Sequence, residues 1–198
     1  MDKIIITKSL NDSISAKKEF VRVHMEDVIR LAEWMIKTIK DGGKILIFGN
    51  GGSAADAQHM AAEFVNRFLI NRPPLAAIAL TTDSSILTSV GNDFSFDDIF
   101  EKQIRALGKP GDLALGISTS GNSPNVIKGI RVAEELGIKT AILTGGSGGR
   151  LRDLAGLALI VPTDKTPHIQ EAHLWVEHIL CRLVDEALYG DTANPYVQ

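Results

Sequence analysis

The sequence predicts an α/β protein, a doubly wound three-layer sandwich with five parallel strands and a long helical arm in front, and three observations carry the prediction. Short apolar runs at 44–48, 75–80, 113–117, 139–143 and 157–161 are almost unbroken, as strands buried on both faces are. Helical patterns with apolar residues at threes and fours separate them, which is the spacing of parallel strands joined by crossover helices. The first and third runs stop at glycine- or hydroxyl-rich turns that open straight into a helix. With 198 residues and 44% hydrophobic content the chain suits one domain, 1–198, with the arm at about 9–40 and the α/β core at about 44–189.

Taken in order, residues 9–40 read as one long helix or two abutting ones, since Ile14, Val21, Met25, Val28, Ile29, Leu31, Ala32, Met35, Ile36 and Ile39 recur at helical spacing. Asp41-Gly42-Gly43 stops it. The arm has more apolar positions than one sheet face needs, and the surplus predicts an oligomer surface. Strand 44–48 ends in Gly49-Asn50-Gly51-Gly52-Ser53, which opens an alanine-rich helix carrying His59 and Glu63 at i and i+4, hence on one face. Asn71-Arg72-Pro73-Pro74 reads as a plain turn before strand 75–80. Thr81-Thr82-Asp83-Ser84 caps a helix to about Val90, Gly91-Asn92-Asp93 breaks it, and 96–107 is helical again. Strand 113–117 runs into Ser118-Thr119-Ser120-Gly121-Asn122-Ser123-Pro124 and a helix at 125–136, with Pro124 suited to its first turn. Strand 139–143, a glycine-rich stretch at 144–149 read as a mobile turn, strand 157–161, a final helix at 167–188 and a short tail at 190–198 complete the chain.

Composition narrows the function. A net charge of −3 and a pI near 5.9 leave no basic footprint, so nucleic acid is not an expected ligand. The one cysteine, Cys181, lies in an apolar helical pattern and reads as core filler. It allows no intrachain disulfide and points to a reducing cytoplasm. No apolar run reaches the ~18 residues of a membrane span, and MDKIIITKS is too short for a secretory signal, so no membrane partner is expected.

Two motifs carry the chemistry. A helix N-terminus entered through glycines offers unpaired amides and a favourable dipole to an anion, which Gly49–Ser53 would supply. The loop Ser118-Thr119-Ser120-Gly121-Asn122-Ser123 adds four hydroxyls between a buried strand and a helix, a phosphate cradle without a cation. It lacks the Gly-Lys-Ser/Thr ending of a nucleotide loop, so ATP or GTP does not fit. Gly49–Ala54 also matches G-x-G-x-x-A, with Asp83 placed for a ribose, but that dinucleotide reading leaves the hydroxyl loop, His59 and Glu63 without a task.

Together GNGGS, VGNDF, GISTSGNS and IQEAH resemble the sugar isomerase (SIS) family, and within it the phosphoheptose isomerases, over roughly 13–188. The resemblance implies a five-stranded parallel sheet in flavodoxin-like order and a homotetramer with sites between subunits. It implies that sedoheptulose 7-phosphate is converted to D-glycero-D-manno-heptose 7-phosphate, for heptose and lipopolysaccharide-type biosynthesis. Asn50, Gly51, Gly52, Ser53, Asn92, Asp93, Ser118, Thr119, Ser120, Ser123 and Gln170 match substrate contacts, and Arg67 an arginine near the site. Glu63 and His178 match the catalytic acid-base pair. His59, Glu63, Gln170 and His178 match ligands of one Zn²⁺ per subunit, a site without sulfur that is expected to be partly empty after purification. Where the family more often carries arginine this chain has His168, read as a surface change.

Ketose-to-aldose conversion removes a proton α to a carbonyl and returns it one carbon away, which needs a carboxylate base and an acid at the oxygens. Glu63 and a histidine suit those tasks. Whether His178 carries the proton or serves as a zinc ligand, with the metal polarising the carbonyl, stays open. On the last helix spacing alone sets His178 nearer Glu171 than Gln170, so Gln170 rests on the resemblance. An alternative also stays open: Asn66-Arg67-Phe68 and the run 102–112 look similar to the DnaA initiator-associating protein, a SIS adaptor, which would have no use for Glu63 with His178.

Overall fold

Strand β1 (Ile45–Gly49) sends alternate side chains to two cores, Ile45 and Ile47 to one and Leu46 and Phe48 to the other, all fully buried. The structure, a computed structural model, describes residues 2–190, and the tail read at 190–198 lies outside them beyond Gly190. Four more strands, β2 (Ala77–Ala79), β3 (Leu113–Ser118), β4 (Lys139–Gly145) and β5 (Leu157–Val161), join β1 in one all-parallel sheet of order β2-β1-β3-β4-β5. This is the flavodoxin-like order.

Helices α1 (Lys3–Lys40), α2 (Gly52–Val65) and α6 (Thr166–Tyr189) cover one face through Phe20, Leu31, Met35, Met60, Phe64, Val176 and Leu180. On the other face lie α3 (Ser84–Asp93), α4 (Ile99–Leu107) and α5 (Pro124–Glu135), held by Phe100, Ile104, Val126 and Ile130. Cys181 is buried in the first core, where burial pushes its thiol pKa upward. No helix among the described residues is long and apolar enough to cross a membrane.

Several boundaries differ from the sequence reading. The arm is a single helix that begins at Lys3, with Asp2 accepting from the Ile4 amide as N-cap. Its first buried residue is Ser13, so Ile4, Ile5, Ile6 and Leu10 are left exposed. Strand β2 is shorter than 75–80, because the Leu75 amide bonds the Phe64 carbonyl at the end of α2 instead of the sheet. Gly91 does not end α3, which runs on to Asp93 from an Asp83 cap, so Asn92 and Asp93 sit in its last turn. Asn71-Arg72-Pro73-Pro74 is more than a plain turn: the Arg72 side chain is buried against α6.

The register aligns the carboxyl ends of the central strands: Gly49 pairs with Ile117, Ser118 with Thr144, and Gly145 with Val161. Strand order reverses between β1 and β3, and a doubly wound sheet binds its ligands at the crevice beyond such a switch point. Both ligand turns read from sequence leave the sheet at this place.

Candidate active site

The turn after β1 enters α2 through Gly51, whose φ of +56° suits glycine and which caps the helix without a side chain. Gln170, in the second turn of α6, lies over this start: a β-carbon on Gly52 would collide with the Gln170 amide nitrogen. Ser53 is buried at the same turn. Asn50 reaches the other way and exchanges two amide hydrogen bonds with Asn125, at 2.8 and 2.9 Å. The buried Asn125 also accepts from the Val126 amide, which fixes its side chain at the first turn of α5. The two ligand turns are thus tied to each other.

The hydroxyl loop is ordered from within. Ser118 and Ser123 share a hydrogen bond between their Oγ atoms at 2.9 Å, Ser120 Oγ accepts from the Asn122 amide, and Pro124 begins α5. Ser120 is exposed at the tip and Thr119 partly so. The glycine-rich stretch read as a mobile turn is anchored to this loop, since the amides of Gly145, Arg150 and Leu151 donate to Thr119 O, Asn122 Oδ1 and Gly121 O. Gly121, at φ +65°, meets the Gly148 and Gly149 backbone so closely that no side chain fits.

Helices α2 and α6 bring His59, Glu63 and His178 together. The Nε2 atoms of His59 and His178 face each other at 2.9 Å, and Glu63 Oε1 stands 3.6 Å from His59 Nε2. Two imidazole nitrogens at that distance share one proton, one ring donating and the other accepting. Phe68, just past α2, stacks on the His178 ring with centroids 5.4 Å apart and an interplanar angle of 21°. Nearby on the same helices, burial raises the pKa of Glu177 well above the carboxylate range, and the charge of Asp56 adds to it. Asp56 is raised by burial as well, and both acids keep buried oxygens without hydrogen-bond partners.

Other expected site residues are not drawn into this cluster by hydrogen bonds. Asn92 donates to Asp93 at 2.8 Å, and both are exposed on α3, across the sheet from α2 and α6. Arg67 is exposed directly after α2. Asp83, the ribose candidate of the dinucleotide reading, is committed to capping α3, and Gln170 occupies the helix start that a pyrophosphate would need. His168 is no surface change: it is buried, with Nδ1 3.3 Å from a Glu171 oxygen. The sequence reading missed Asn125 and took Phe68 only as part of Asn66-Arg67-Phe68 in the adaptor resemblance; their local signals were a polar residue after Pro124 and an aromatic three residues past the end of α2.

A family model for the SIS domain matches residues 10–145. The chain belongs to the SIS domain family. It is 51% identical over 196 residues to a phosphoheptose isomerase of Solidesulfovibrio magneticus, covering 98% of this chain and 96% of that one. Among solved structures it is similar to the phosphoheptose isomerase of Neisseria gonorrhoeae, with a TM-score of 0.87 and 44% identity over 91% of this chain and 97% of that one. A phosphoheptose isomerase from Francisella tularensis matches with a TM-score of 0.90 and 39% identity, over 94% and 100%. The five-stranded sheet, the helices on both faces and the long first helix are those of the SIS fold.

Proposed function

We propose that this SIS protein is an aldose-ketose isomerase that converts sedoheptulose 7-phosphate to D-glycero-D-manno-heptose 7-phosphate. The observation that carries the reading is the meeting of Glu63 and His59, on the helix that the glycine turn opens, with His178 on α6. The match to phosphoheptose isomerases over nearly the whole chain supports it. In the proposed reaction the phosphate sits at Ser118–Ser123, near the start of α5, and Asn50, Gly51, Gly52, Ser53, Arg67, Asn92, Asp93 and Gln170 hold the sugar. Glu63 takes the C1 proton of the ketose, leaving a cis-enediol, and returns it to C2. His178 moves a proton between the two oxygens, its ring oriented by Phe68.

Zinc belongs to the proposal as a resident cofactor. His59 Nε2, His178 Nε2, a Glu63 oxygen and the Gln170 amide oxygen form a nitrogen-oxygen set that suits this borderline cation. The first two already face each other at 2.9 Å. Among the described residues no three His, Cys, Asp or Glu groups gather into a ready site, and the Gln170 amide lies over Gly52, about two turns of α2 before His59. When bound, zinc would supply Lewis-acid polarisation of the carbonyl. The Glu63 carboxylate remains the base in either case.

A homotetramer in the cytoplasm, serving heptose and lipopolysaccharide synthesis, completes the reading. The exposed Ile4, Ile5, Ile6 and Leu10 on the projecting arm support the assembly. Light scattering that gave a 21.4 kDa monomer at working concentration would remove it. The adaptor alternative gains no support, since an adaptor gives Glu63 and His178 nothing to do. Incubation with sedoheptulose 7-phosphate, followed by assay for an aldose, tests the activity: product supports the isomerase, and none with or without added zinc rejects it.

A further inference from the structure

Arg72 stands outside every ligand turn, yet its guanidinium makes four hydrogen bonds inside the protein. Nε donates to Asp185 Oδ1 at 2.6 Å, and both side chains are 1% exposed. Nη2 donates to the Glu63 carbonyl at 2.9 Å, and Nη1 to the carbonyls of Phe64 at 2.8 Å and Pro73 at 3.2 Å. The carbonyls in the last turn of a helix have no partners within it, and a cation there is favoured by the helix dipole. Helix α2 has no basic residue in its own last turn, and Arg72 supplies the missing charge from the connection that follows. Asp185 lies on α6, two turns beyond His178 on a similar face. One buried fork therefore grips the peptide of Glu63 and, through Asp185, the helix that carries His178.

We infer that Arg72 is a positioning residue for the proposed isomerisation: it fixes the end of α2 against α6 and so sets the placement of the Glu63 carboxylate relative to His178. The fixed, planar donor fork is what the task needs, because a lysine would keep the charge but could not reach Asp185 and the helix-end carbonyls together. The four hydrogen bonds of this fork go to Asp185, Glu63, Phe64 and Pro73 and none to the proposed phosphate loop between β3 and α5, which separates positioning from substrate binding in the kinetics.

The test compares wild type with Arg72→Lys and with the double variant Arg72→Met/Asp185→Leu. The double variant removes both buried charges at once, so neither is left unpaired in the core. Melting temperature, kcat and KM for sedoheptulose 7-phosphate, and the imidazole NMR resonances of His59 and His178 are read on the same samples. The expected result is a folded protein whose kcat falls about tenfold to a hundredfold, the scale of a misplaced catalytic group. KM should stay within about twofold, and the imidazole resonances should shift. The inference rests on the isomerase reading for its kinetic arm only. If wild type turns nothing over, that reading fails and the resonances alone decide: shifted, they support the clamp, and unmoved, they overturn it. A double variant that melts near wild type with kcat within twofold and unmoved resonances overturns it, as does a rise in KM as large as the fall in kcat.

Discussion

The side-chain amide of Gln170 lies over Gly52 at the first turn of α2, in the space a β-carbon at that position would fill. Gly52→Ala should therefore move Gln170 off the site with little change in helix stability, since Gly52 is the first residue of α2 and the glycine penalty of about 1 kcal/mol belongs to helix interiors. Losing one positioned hydrogen bond of about 1 to 2 kcal/mol corresponds to roughly five- to thirtyfold in kcat/KM. Steady-state kinetics beside thermal melting checks the pair of outcomes. Unchanged kinetics would mean that Gln170 has no task at this turn.

Ser120 presents its hydroxyl at the exposed tip of the loop before α5. A hydrogen bond to a charged group contributes about 1.5 to 3 kcal/mol, so Ser120→Ala should raise KM about tenfold or more if the phosphate binds there. An unchanged KM would place the phosphate elsewhere.

How far the site could be read from the chain depended on whether the signal was local. The turn after β1 and the hydroxyl loop were legible because an apolar run ends at each and a helix begins, and the register then carries both to one edge of the sheet. Arg72 was not legible. Its neighbours Asn71, Pro73 and Pro74 spell a turn, while its partner Asp185 lies 113 residues away. Gln170 likewise finds Gly52 only through the fold, and periodicity on α6 gave it no special standing. Gly91 misled in the opposite direction, because one glycine costs a helix about 1 kcal/mol and the Asp83 cap with buried Val90 outweighs it.

His173 predicts a pH dependence of stability. It is buried on α6, its Nε2 is 3.1 Å from the Thr144 carbonyl and so donates to it, and its Nδ1 has no partner. Burial pushes its pKa down to about 4 from the ordinary 6.5. Between those values the unfolded chain binds a proton that the folded chain refuses, so stability is full above about pH 6.5 and falls as pH drops towards 4, by roughly 3 kcal/mol. His173→Gln, which keeps a donor for Thr144, should flatten that slope. Melting curves at pH 7 and pH 4.5 with the same slope in both proteins would exclude His173 as its source.

Metal content gives a separate check on the proposed ligand set. A site with no thiolate should bind zinc less tightly than a structural cysteine site, so purified protein should carry less than one zinc per chain and gain it on supplementation. Elemental analysis of zinc-supplemented His59→Ala should show the metal lost. Zinc at the wild-type level would remove His59 from the set, with Glu63, Gln170 and His178 then in doubt as its companions.

Glu63 is the residue on which the proposed reaction turns, held beside His59 on α2 and across from His178 on α6. A positioned base contributes about a hundredfold to ten-thousandfold to the rate, about 3 to 5 kcal/mol of barrier. The most direct measurement is kcat of Glu63→Gln on sedoheptulose 7-phosphate, with folding checked by circular dichroism and sugar-phosphate binding by calorimetry. The prediction is a folded protein that binds the sugar phosphate within a few-fold of wild type and loses a hundredfold or more in kcat. A kcat within a few-fold of wild type would contradict it and mean that another group removes the proton.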